Sequence, residues 1–252
     1  MTMVMTLWRG CWAFSLLRAA HGMRVGGWVP RRAALAGIAS APSVARAGDG
    51  AEDAAVAEAL RQFTAGDYEK SLAAWRDLTT RSPRQALYWS NRGTVELILG
   101  SKESTLGVAP TGAARELLEA SVASLSTSVD LRGGGESDDA LSLNNLGNAH
   151  AVLLRWDAAA RCYDRSLDAA LARDRSFASI PASNRAQAAL ELGDAGDAER
   201  RTLNLLRRDP NFVDGRALLA AIRFAQGSKR VIQRRFNVGV LEATPERKAS
   251  TL

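Results

Sequence analysis

Between positions 51 and 227 apolar residues return at helical spacing, give way to a short break, and then begin again. Val56, Leu60 and Phe63 mark a first helix ending at Ala65-Gly66-Asp67, where glycine permits a tight turn and Asp67 can cap the next helix. Tyr68, Leu72, Trp75 and Leu78 line a second helix that stops before Pro83. A new unit opens at Ala86 with Leu87, Trp89, Gly93, Leu97 and Leu99, and closes at Gly100. Its partner helix is delayed by Gly107 and Pro110, then runs from about Ala113 to Leu131 on a stripe of Leu117, Leu118, Val122, Leu125 and Val129. After Gly133-Gly134-Gly135, Ser137 or Asp138 can cap a third unit built on Leu143, Leu146, Gly147 and His150, then Trp156, Ala159, Tyr163 and Leu167. Only the glycine between its two helices is missing. A fourth unit begins after Ser179-Ile180-Pro181 with Ala186, Leu190, Gly193-Asp194, Ala198, Leu205 and Asp209-Pro210. Val213, Leu218, Leu219, Ile222 and Phe224 begin a fifth, ending at Gly227.

Paired helices with a small residue at their closest approach and an aromatic on the second helix form a repeat of about 34 residues. The array from about Ala51 to Gly227 resembles the tetratricopeptide repeat. The phrases Trp89-Ser90-Asn91-Arg92-Gly93, Leu143-Asn144-Asn145-Leu146-Gly147-Asn148 and Ala217-Leu218-Leu219-Ala220-Ala221 are similar to a plant and algal group of chloroplast lumen repeat proteins. That resemblance implies an all-α fold, a right-handed superhelix of antiparallel helix pairs (an α-solenoid) with about four repeats and a capping helix. The chain departs from the pattern at Arg92, where Leu is usual, and at its Arg-rich end. Relative to the repeat, roughly sixteen extra residues lie in the second unit, an insertion at about 101–120 expected to stand out from one face.

Charge refines the domain plan. The chain carries a formal +6, but residues 1–47 hold six Arg, no Lys and no acidic residue. Removing those six from 33 basic residues leaves 27, matched by 27 acidic ones, so the basic character belongs to an address and not to a nucleic-acid face. Arg31 and Arg32 precede an apolar run from Ala33 to Val44, and Ala45-Arg46-Ala47 fits a signal peptidase. Twin arginines behind a transit-like segment resemble two-stage import into the thylakoid lumen, with cleavage after Ala47. A mitochondrial leader and bacterial secretion are the competing addresses. The plan is a leader over 1–47, repeats over 48–228, and a basic tail over 229–252. That tail holds six basic and two acidic residues, leaving the repeat body at −4. Its composition fits a solvated terminus, a contact for anionic lipid or an acidic partner, or a misread gene end.

Little in the inventory suits catalysis. His150 is the single histidine of the body, it falls where repeats place an aromatic, and it reads as packing. Cys162 has no partner once Cys11 leaves with the leader, and reads as a small packed hydrophobe. Asp138 and Asp139 sit at a helix start, where they favour the dipole. No phosphate loop, CxxC or HExxH occurs, so no cofactor and no metal is expected. Binding is the expectation. One position of the first helices holds Asn91, Asn145 and Asn184, with Asn144, Asn148 and Gln187 nearby. Amides that donate and accept could grip the backbone of an extended peptide. The expected role is a non-catalytic scaffold for protein partners, assisting assembly or upkeep of photosynthetic membrane complexes. The competing role is a permanently docked subunit of such a complex.

Overall fold

The computed structural model describes residues 50–242 apart from 103, 105, 106, 134–138 and 174, with side chains described as far as Gly227. The leader, with Arg31, Arg32 and Ala47, and the final ten residues lie outside the described residues. So do Ser137 and Asp138.

Among the described residues there are nine helices and no strand. They are α1 (Gly50–Ala65), α2 (Tyr68–Arg81), α3 (Ala86–Lys102), α4 (Gly112–Leu131), α5 (Ala140–Val152), α6 (Trp156–Arg173), α7 (Ser179–Glu191), α8 (Ala195–Arg208) and α9 (Val213–Glu242). Each helix packs on the next along the chain, and α3 also meets α5 as α7 meets α9. Helix pairs therefore stack side by side, first helices against first helices, as a solenoid requires.

Glycines at the helix crossings show why the pairs can close. A Cβ on Gly93 would lie 2.6 Å from Leu125 Cγ and 3.1 Å from the Leu125 backbone nitrogen on α4. On Gly147 it would lie 2.5 Å from the Tyr163 ring on α6. Only glycine admits that approach. The α1–α2 and α7–α8 turns use Gly66 and Gly193 at φ 85° and 89°. The α5–α6 turn, which lacks a glycine, puts Leu154 at φ 60°, a left-handed conformation that a branched side chain adopts at a cost of roughly 1–2 kcal/mol. Leu154 is held there because it packs against the cluster of Ala151, Trp156, Ala159, Ala160, Tyr163 and Ala188.

Three details differ from the sequence expectations. Asp139 caps α5, its carboxylate accepting from the Leu141 N–H at 3.1 Å and from Ser142 Oγ at 2.6 Å. Helix α7 begins at Ser179, with Pro181 in its first turn, where a missing N–H costs nothing. And α9 does not end at Gly227. It continues to Glu242 because that glycine sits in open space and nothing there turns the chain. The inserted residues of the second unit lengthen both helices, giving 17 residues in α3 and 20 in α4 against 13 in α5 and 18 in α6, with a connection over 103–111.

Candidate functional site

Helix α5 positions most of the amides singled out in the sequence. Its residues Ser142, Leu143, Asn144, Asn145, Leu146, Gly147, Asn148 and Ala149 are all buried, because the helix lies between α3, α4, α6 and the start of the α7–α8 pair. Asn144, Asn145 and Asn148 are fully buried, Asn91 is 4% exposed and Asn184 is 6% exposed.

This corrects the geometry of the expected ladder. The amides do not line an open trough; they face neighbouring helices. Asn145 Nδ2 donates to Thr94 Oγ1 at 3.1 Å, tying α5 to α3. Asn184 Nδ2 donates to Asn144 Oδ1 at 2.9 Å and to Asn148 Oδ1 at 3.3 Å, tying α7 to α5. Tyr163 Oη donates to the same Asn148 Oδ1 at 3.0 Å. Gln187 is half-buried and donates along its own helix to Glu191 Oε1 at 2.9 Å. The physical reason is economy of polar burial: an amide inside a seam must find partners, and the nearest are amides and hydroxyls on the next first helix. Three groups are left over. Asn144 Nδ2, Asn145 Oδ1 and Asn148 Nδ2 are buried with no hydrogen-bond partner.

Sequence reasoning missed a second polar seam. Glu96 is fully buried on α3, accepting from Arg92 Nε at 3.0 Å and from Ser124 Oγ of α4 at 2.7 Å. Arg92 also donates to Thr79 of α2 at 3.3 Å and lies over the Trp89 ring at 5.2 Å. The residue that departs from the repeat pattern thus supplies the nearer countercharge of a buried carboxylate, with Arg76 reaching it at 4.0 Å. Arg185, at the matching place of α7, pairs with Asp164 at 2.9 Å and with Asp197 at 3.7 Å, and Arg201 bonds Asp197 at 2.7 Å. Burial works to raise the Asp197 pKa, but the hydrogen bond and charge of Arg201, with Arg185 and Arg200, outweigh it and hold the carboxyl below its ordinary range. The signal was present in the sequence: Arg92 stands four residues before Glu96, one helical turn.

Burial shifts the titration of two groups with proton-transfer or nucleophilic chemistry, His150 and Cys162. Burial, helped by Arg155 and Arg161 against Glu119, lowers the His150 pKa, and His150 Nδ1 is buried with no hydrogen-bond partner. Burial pushes the Cys162 thiol up to about 11 despite Arg165 and Arg161. Among the described residues no group of three His, Cys, Asp or Glu is placed to hold a metal, and no helix is long and apolar enough to cross a membrane.

Stacked helix pairs with small residues at their crossings define an all-α, tetratricopeptide-like helical solenoid. The solved crystal structure of MamA is similar to this chain, with a TM-score of 0.50 at 13% identity over 70% of this chain and 96% of that one. At that identity the likeness speaks for the fold alone. No protein-family model and no curated protein matches the chain.

Proposed function

We propose that this chain is a non-catalytic scaffold of the thylakoid lumen that binds protein partners and assists assembly or upkeep of photosynthetic membrane complexes. One observation carries the binding reading. The middle first helix, α5, holds two spare amide donors and one spare carbonyl acceptor within successive turns, at Asn144, Asn148 and Asn145. Buried polar groups without partners are costly, at about 1–3 kcal/mol each, so a strand of backbone that supplied C=O and N–H groups there would be favoured. The seam closes over these groups in the free chain, so binding requires the first helices to part. First helices meet one another less extensively than each meets its own second helix. The lumenal address rests on the leader pattern of Arg31, Arg32 and Ala47.

The test is recovery of partners by the tagged full chain from isolated thylakoids, alongside import of the chain into chloroplasts with protease protection. Specific recovery is expected, with loss on Asn145→Ala combined with Asn148→Ala in a variant that still melts cooperatively. Unchanged recovery by that folded variant rejects the amide seam, and a chain left outside the protected lumen rejects the address. Release by a salt wash supports a scaffold, whereas retention in fixed ratio supports a permanent subunit.

A further inference from the structure

The C-terminal end of the array is unfinished in one respect. The first helices α5 and α7 are each 13 residues long and turn back into second helices of 18 and 14. Helix α9 starts as the fifth first helix and continues without a break to a length of 30 residues. Its inward face is occupied, with Gly215, Leu218, Ile222 and Ala225 buried next to α7 and α8. Its other face is bare. Val213 is 63% exposed and Phe224 46% exposed, and Ala220, on the same stripe at heptad spacing, is exposed between them. Ala220 falls at the place that Gly93 and Gly147 hold in earlier units, the place where a second helix approaches. The slot for that second helix exists, but the chain that should fill it has gone past.

We infer that the slot is filled by the far half of α9 from a second copy of this chain. Two α9 helices run antiparallel about a two-fold axis, the first half of each against the second half of the other, an exchange of one helix between identical chains. Two observations select this occupant. The half of α9 beyond Gly227 is the length of a complete second helix, matching the 14 residues of α8. Its sequence repeats apolar residues at one helical turn, Ile232, Phe236 and Val240, in the pattern a second helix uses to cover a first. An unbroken helix cannot fold onto its own first half, so the same contacts are reachable only between chains. This pairing does not depend on the scaffold reading, because it concerns a face remote from the amide seam.

Sedimentation equilibrium of the full chain tests it. The expected mass is twice the 26.9 kDa of one chain. Phe224→Glu and, separately, Val213→Glu should weaken association by at least about tenfold while helicity is kept, since both side chains are exposed within a single chain. Inserting three glycines after Gly227 should yield a helical monomer, because the far half can then return onto its own α9. A wild-type chain that stays monomeric through the micromolar range overturns the inference. So does a dimer that ignores both glutamate substitutions, or one that survives the glycine insertion.

Discussion

The first and third helix pairs share a backbone plan and an apolar closure, but the first helix of the third adds a polar seam to its neighbours. In the first, Ala59, Phe63, Leu72, Trp75 and Leu78 form one apolar cluster that extends to Val95 and Leu99 on α3. In the third, α5 buries Ser142, Asn144, Asn145 and Asn148, and bonds that leave it run to Ser90, Thr94, Tyr163, Ser166 and Asn184. Apolar packing is non-directional, so the first pair is fixed by shape and area. Amide pairing is directional, so the contacts of α5 with α3 and α7 also fix register, and three of its amide atoms keep no partner.

Four experiments break or sharpen that contrast. The largest effect falls on the apolar pair: Trp75→Ala should cost about 3–5 kcal/mol in denaturant titration, because the ring is fully buried. A loss below that range would mean that the first pair is not a close-packed core. Next, Asn184→Ala should cost about 1–3 kcal/mol by stripping the donor from Asn144 Oδ1, leaving a buried acceptor unpaired. A neutral result would show that the amide seam orders nothing. Close in size, Gly147→Ala should destabilise by about 1–3 kcal/mol through collision with Tyr163, whereas Gly227→Ala, in open space on a helix, should stabilise by about 0.5–1 kcal/mol. Equal effects at the two glycines would contradict the crossing geometry.

The smallest effect is on pH. His150 has a folded pKa below its ordinary 6.5, so the unfolded chain takes up the proton first. Stability is therefore fullest above that value and declines as pH falls through 6.5 toward the folded pKa, with no further loss from this group below it. Melting monitored from about pH 8 to about pH 5 should show the decline in the wild type and a flatter profile in His150→Gln. Parallel profiles would place the histidine in a less buried setting. Asp197 acts in a separate window: its lowered pKa supports the fold above the ordinary 3.8, and that support is lost as pH drops below it.

The helix pairs were legible in the sequence because period and breakers are local. Gly93 and Gly147 announced the close crossings, where a side chain would not fit, and Gly66 and Gly193 the tight turns, where the backbone takes a positive φ. What the sequence hid was direction. Asn91, Asn145 and Asn184 recur at one place of the repeat, but whether an amide faces a trough or a neighbouring helix depends on how far each pair rotates against the next. Nothing in the local pattern states that rotation. The length of α9 was hidden for a related reason. Gly227 reads as a stop, yet a glycine ends a helix only when something favours the turn, and here a Cβ added to it would meet nothing within 4 Å.

The main helix contacts among the described residues join neighbours and next-neighbours along the chain, so the stack is not clasped from α1 to α9. Such a molecule comes apart from its ends inward, and hydrogen exchange should trace that order, slowest in the middle and quickest at the rims. The central helices would then keep their register while the outermost turns breathe, much as a coil spring holds its pitch when only the last loops are plucked.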